Sequence, residues 1–223
     1  MREVVLDTET TGLDPGTGHR IVEIGCLELV NHVATGQSFQ RYVNPERDIP
    51  PDAFAVHGLT EEFLRRHPVF AEVAADFLDF IADSSLVIHN AEFDLGFLNA
   101  ELERLGFAGL AASRAVDTAT LARRKYPGAP ANLDALCRRF AIDSSGRALH
   151  GALRDAELLA QVYLELVGGR QADLRLSGDG EAAGPGTEAA RPLRAARSHA
   201  ASPAELAAHE KFLARLKDPI WNG

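Results

Sequence analysis

Leu86-Val87-Ile88 is the segment that most narrows what this chain can become. A three-residue apolar strand has too little side chain to survive on a surface, so it must lie inside a sheet. It feeds a helix expected over Phe93 to Leu105, with Phe93, Phe97, Leu98, Leu102 and Leu105 on one face. Upstream, the spacing predicts three strands in succession: Val4-Val5-Leu6, Ile21 to Val30, and Phe39 to Val43. Pro50 and Pro51 interrupt the chain, Thr60 can cap a short helix through Arg66, and Phe70 to Ile81 has apolar residues at helical spacing. Helices are expected again over Thr118 to Tyr126, Leu133 to Phe140 and Ala152 to Val167. Strands first, then a strand alternating with helices, gives an α/β fold: a mixed sheet covered by helices.

The order of this pattern ends near Gly168. Of the 223 residues, 1–168 read as one domain, and 169–202 are rich in Gly, Ala, Pro and charge and lack aromatics. Such a stretch buries too little apolar area to offset the entropy of ordering, and it is read as a flexible linker. Residues 203–223 differ again. Pro203 begins a helical pattern with Leu206, Phe212, Leu213 and Leu216 ahead of Pro219-Ile220-Trp221, an amphipathic helix marginal on its own in water and so suited to docking on a larger partner. Cys26 and Cys137 sit in apolar patterns without metal-ligand spacing and are expected to be reduced core thiols. The chain shows no membrane-length apolar run and no signal peptide, so a cytoplasmic location is expected. A net charge of −9 argues against coating nucleic acid through bulk electrostatics, yet it is compatible with an acidic site that cations fill.

Three motifs carry chemistry. Asp7-Thr8-Glu9-Thr10-Thr11-Gly12 follows the first strand, and residues i and i+2 of a strand share a face, so Asp7 and Glu9 would stand side by side at its end. Two such carboxylates repel unless a cation lies between them, although a plain polar turn is the ordinary explanation of a lone Asp-x-Glu. Asp94, in Leu86-Val-Ile-His-Asn-Ala-Glu-Phe-Asp94, lies in a first helical turn where an acid also simply favours the helix dipole. Glu92 is the rival carboxylate there; Phe93 must face the core. His150-Gly-Ala-Leu-Arg-Asp155 opens the last domain helix. On a continuous helix five residues rotate by about 140°, so the two side chains would not share a face. With Gly151 as a break, His150 can fold back over the site from the loop while Asp155 points in from the helix.

Taken together, Asp7-x-Glu9, Asp94 within His-Asn-x-x-Phe-Asp, and His150 with Asp155 resemble the three exonuclease motifs of the DEDDh branch of the DnaQ-like exonucleases. The likeness runs over about residues 3 to 167. Longer stretches, among them VLDTETTGL, VHGLTEEFL, LVIHNAEFD and NLDALCRRF, look closest to the members that proofread for the bacterial replicative polymerase, DNA polymerase III. The resemblance implies a ribonuclease H-like sheet and a 3′→5′ exonuclease using two divalent ions, Mg²⁺ or Mn²⁺. It implies that Asp7, Glu9, Asp94 and Asp155 hold the metals and that His150 takes the proton from the attacking water. Activity is then expected to rise with pH through the neutral range, because a base must be unprotonated. By the same resemblance Thr10, Thr11 and Gly12 lie near the terminal nucleotide, and His57 is a second substrate contact. Asp52 stands where the resembled proteins carry Glu. Thr10-Thr11-Gly12 as a mere turn and His57 as a surface histidine remain open alternatives, and Asp117, at an expected strand end, reads as structural or as a support for the site.

Beyond the domain, Gln171-Ala-Asp-Leu-Arg-Leu176 resembles a sliding-clamp peptide, and the tail is expected to dock on the polymerase catalytic (alpha) subunit, with Trp221 as anchor. Two rivals stand beside this reading. One is an RNA-trimming exonuclease of the same fold, such as an oligoribonuclease or a ribonuclease T-like enzyme; the other is a noncatalytic polymerase scaffold.

Overall fold

The structure is a computed structural model that describes residues 1–145, 149–168 and 201–215. Five strands form one mixed sheet in the order β3-β2-β1-β4-β5. These are β1 (Arg2–Thr10), β2 (Ile21–Val30), β3 (Val33–Tyr42), β4 (Ser85–Ile88) and β5 (Ala115–Asp117). β1, β2 and β3 run as an antiparallel meander, whereas β4 lies parallel to β1 and β5 parallel to β4. The α-helices among the described residues of 1–168 are α1 (Pro51–His57), α2 (Glu61–Leu64), α3 (Phe70–Ile81), α4 (Ala91–Arg104), α5 (Thr118–Lys125), α6 (Leu133–Arg139) and α7 (Ala152–Val167). No helix among the described residues is long and apolar enough to cross a membrane.

β1 shows how alternation builds the layers. Val4 and Leu6 join α3 and α4 in one core, with Phe70, Phe77, Phe97, Leu98 and Leu102 fully buried. Val5 faces the other way, into a second core with Leu136, Leu158, Leu159 and Val162 of α6 and α7. Each buried Leu, Val or Phe is worth about 1.5–3 kcal/mol relative to exposure, so two filled faces pin the strand register. Both cysteines are buried, and they are not joined in a disulfide.

Several boundaries differ from the sequence reading. β1 does not stop before the acids; it continues through Thr10 because β2 pairs with it that far, so Asp7 and Glu9 lie inside the strand. β3 begins at Val33, six residues before the expected Phe39, and those six residues are exposed because β3 is a sheet edge. Pro51 is the first residue of α1 rather than an interruption, since proline's fixed φ and missing N–H suit a helix start. Thr60 caps α2 by accepting from the Phe63 amide, and the helix ends at Leu64. Leu105, expected on the buried face of α4, is exposed just past the helix end.

Separately, α8 (Pro203–Leu213) forms one short helix of its own, opened by a Ser202–Glu205 capping box, with Leu206 and Phe212 exposed. The clamp-like segment 171–176, most of the linker, and Leu216 and Trp221 lie outside the described residues.

Candidate active site

A cavity of about 750 Å³ opens at the C-terminal ends of β1 and β4. It is lined by Asp7, Glu9, Asp94, His150 and Asp155, and also by Thr10, Thr11, Gly12, Asp52 and His57, so all ten sequence-derived candidates meet there. The sheet explains why. β4 pairs with β1 only as far as Val5, and beyond that point no strand among the described residues covers this edge of β1.

α4 fills this edge. Asp94, buried in its first turn, accepts the Thr8 backbone N–H at 2.9 Å and the Thr8 hydroxyl at 2.7 Å, both on Oδ1. One carboxylate oxygen thus replaces the missing strand partner. Burial pushes the Asp94 carboxyl up to about 7, against the lowering effect of the Thr8 donors. A bound cation would reverse that shift by stabilising the charged form. The helix is held in place by Arg20, the residue just before β2, which forks onto buried Glu101 of α4 at 2.6 and 2.8 Å.

The opposite wall comes from α7. Asp155, in its first turn, is buried, and His150 precedes the helix in the loop, with its ring half exposed. The ring Nδ1 stands 3.2 Å from Asp155 Oδ2, and the His150 amide donates to the Val56 carbonyl of α1 at 3.1 Å. The loop is therefore tied to the helix that carries His57. Glu9, His150 and Asp155 offer ligand atoms that all lie within 4.8 Å of one another. Two carboxylates and an imidazole brought so close suit a divalent cation, so the donor set fits the metal dependence expected of such a site.

Substrate-side residues have their own geometry. His57 is buried, and its Nδ1 accepts the Leu59 amide at 3.0 Å, which places the ring proton on Nε2. That Nε2 is buried without a hydrogen-bond partner, and burial lowers the imidazole pKa, so the ring is a neutral donor. Thr11 accepts the Arg20 amide at 3.0 Å and meets His19 Nδ1 at 3.1 Å. A side chain on Gly12 would run into the His19 ring, so the turn and the ring are packed together. Asp52 is exposed near the start of α1.

His19 and Asn132 also line the cavity without having been singled out from the sequence, as do His89 and Asn90, which entered there only as the opening of the His-Asn-x-x-Phe-Asp motif. Asn90 carries the one usable signal, since asparagine tolerates the left-handed conformation it adopts here, with φ 66°. Asp117 supports this turn: its Oδ1 accepts the Asn90 amide at 2.9 Å and the Ala119 amide at 3.0 Å, capping α5. Asp117 does not line the cavity, and its place is structural.

Comparison with known proteins agrees with this geometry. The family model described as "Exonuclease" matches residues 4–163. The DNA polymerase III subunit epsilon of Rickettsia felis is 58% identical over 179 residues, covering 79% of this chain and 78% of that protein. The subunit of the same name from Escherichia coli K12 is 45% identical over 224 residues, covering 95% of this chain and 92% of its own length. Among solved structures, exonuclease X in complex with 5′ overhanging duplex DNA superposes with a TM-score of 0.58 at 27% identity, covering 74% of this chain and 90% of that one. The nuclease domain of 3′hExo, a DEDDh family member bound to rAMP, shares the fold with a TM-score of 0.64 at 20% identity, over 74% and 91% of the two chains. The chain belongs to the exonuclease family, alongside the DNA polymerase III epsilon subunits.

Proposed function

We propose that this chain is the proofreading subunit of a replicative DNA polymerase, removing mispaired nucleotides from DNA 3′ ends by hydrolysis. The observation that carries the reading is the convergence of four carboxylates and His150 on one cavity in a chain so similar to epsilon subunits. Two divalent cations, Mg²⁺ or Mn²⁺, supply charge stabilisation on the attacking and leaving oxygens of phosphodiester hydrolysis. Asp7, Glu9 and Asp155 would hold one ion, and Asp7 with Asp94, the latter directly or through water, would hold the second. His150 takes the proton of the attacking water as that water's oxygen bonds to phosphorus, and the 3′ oxygen of the penultimate nucleotide leaves. Thr10, Thr11 and Gly12 support the terminal nucleotide, His57 donates through Nε2, and Asp52 takes a contact with one methylene less reach than Glu.

The same reading divides the chain into residues 1–168 as the nuclease, 169–202 as a linker and 203–223 as the segment that docks on the alpha subunit in the cytoplasm. The Gln171–Leu176 peptide binds the sliding clamp. The decisive measurement is degradation of single-stranded DNA, mismatched primer ends and short RNA with Mg²⁺ or Mn²⁺. Preference for mismatched DNA ends is expected, with Asp7→Ala lowering the rate by several orders of magnitude; a loss under about tenfold contradicts the metal assignment. Preferential trimming of short RNA points to the oligoribonuclease-like rival, and inactivity on all three to a scaffold. A chain ending at Gly168 that keeps full affinity for the alpha subunit refutes the docking role.

A further inference from the structure

Glu23 of β2 is a buried acid with no part in the mechanism above. It is 2% exposed, and β1–β2 pairing sets it directly opposite Glu9. Partners opposite one another in adjacent strands project to the same face, so Glu23 sits beside the metal-site carboxylates while pointing under α7. Its Oε2 accepts the Ala152 amide at 3.1 Å, and its Oε1 accepts the Gln40 side-chain amide of β3 at 2.7 Å. Ala152 is the first residue of α7, and the N-cap residue Gly151 has no side chain to satisfy the orphan amides of that end. A carboxylate from a neighbouring strand therefore does the work that a Ser, Thr, Asp or Asn cap ordinarily does. Two residues along the same face, Gly25 lets the α7 backbone press onto β2: an added methyl would stand 2.5 Å from the Ala152 carbonyl oxygen. Glu23 thus grips the helix end at the place where helix and sheet touch backbone to backbone.

We infer that Glu23 is a positioning residue for this reaction: by capping α7 from β2, it fixes the first helical turn so that Asp155 stays within ligand distance of Glu9. The inference rests on the metal-site reading given above. Asp155 lies three residues beyond Ala152, and its amide donates to the Gly151 carbonyl at 2.8 Å, so any slide of the helix end moves its carboxylate too. Gln40 orients Glu23 in turn and links the edge strand β3 to the site through two hydrogen bonds.

Charge and reach can be separated by two substitutions in the full chain. Glu23→Asp keeps the charge but withdraws the carboxylate by about 1.5 Å, one C–C bond. Glu23→Gln loses the charge but keeps an oxygen at the same reach. The readout is Mn²⁺ affinity of the metal-stripped protein, by calorimetry or electron paramagnetic resonance without substrate, together with the melting temperature. Glu23→Asp is expected to weaken Mn²⁺ binding by about tenfold or more, the usual scale for residues that orient metal ligands, whereas Glu23→Gln stays within about threefold of wild type. Val162→Ala, a core change farther along α7, is expected to lower the melting temperature and leave the affinity alone. The reverse order of Asp and Gln variants, unchanged affinity in both, or an equal loss in Val162→Ala overturns the inference. If wild type binds no Mn²⁺, or Asp155→Asn binds it equally well, the metal-site reading itself has failed instead.

Discussion

Replacing Gly25 by alanine tests whether the geometry of the site depends on how closely α7 rests on the sheet. The methyl group would lie 2.5 Å from the Ala152 carbonyl oxygen and nearer still to the Leu153 amide nitrogen. Both are backbone atoms, which cannot rotate away as a flexible side chain does. Restoring ordinary contact near 3.4 Å with the closest of these atoms requires a movement of more than about 1 Å, a length set by van der Waals radii. β2 is held between β1 and β3, so the displacement falls on the α7 N-terminus, and Asp155 and His150 move with it. Overpacking of this kind costs about 1–3 kcal/mol, and each kcal/mol shifts the melting point of a domain this size by roughly 2–4 °C. A misplacement near 1 Å in catalytic geometry costs about 100-fold in rate. The assay is the single-turnover rate on a DNA 3′ end with saturating metal, alongside a thermal melt. Gly96→Ala is the comparator: its methyl meets open space on α4, and alanine is favoured over glycine in a helix by about 0.5–1 kcal/mol. It should stabilise and leave the rate unchanged. A Gly25→Ala protein with wild-type rate and melting point refutes the close-approach argument.

Asp94 gives a pH-dependent stability in the metal-free protein. Its folded pKa is raised by burial above the ordinary value, so its contribution is complete below the unfolded pKa near 4 and is lost as pH rises through about 7. Melts in EDTA should therefore show Asp94→Asn gaining on wild type between pH 5 and pH 8; a constant difference would contradict the buried-acid assignment. With metal present, His150→Gln should lower the rate of DNA hydrolysis at a fixed pH, since His150 serves as the base. An unchanged rate removes His150 from that role.

Much of the architecture was legible along the chain because local pattern and tertiary demand coincide. The Phe70–Ile81 helix and the β2 strand have the boundaries that their apolar spacing indicates. The four carboxylates and His150 were legible as a set because each lies late in a strand, in the first turn of a helix or in the loop just before one, at the same end of the sheet. Other features left no local trace. α1 was hidden by prolines that start a helix as readily as they interrupt one, and the first half of β3 by its exposed, polar edge position.

What the sequence determined alone was the identity of the reactive groups and the elements that bear them, since periodicity and motif spacing are local properties. Tertiary structure decided how those groups meet. Thr8 can hold Asp94 only because β4 stops pairing at Val5, His57 presents Nε2 only because Leu59 occupies Nδ1, and Glu23 caps a helix 129 residues away. Such contacts join positions far apart in the chain, and their energy depends on distance and burial that no sequence window contains.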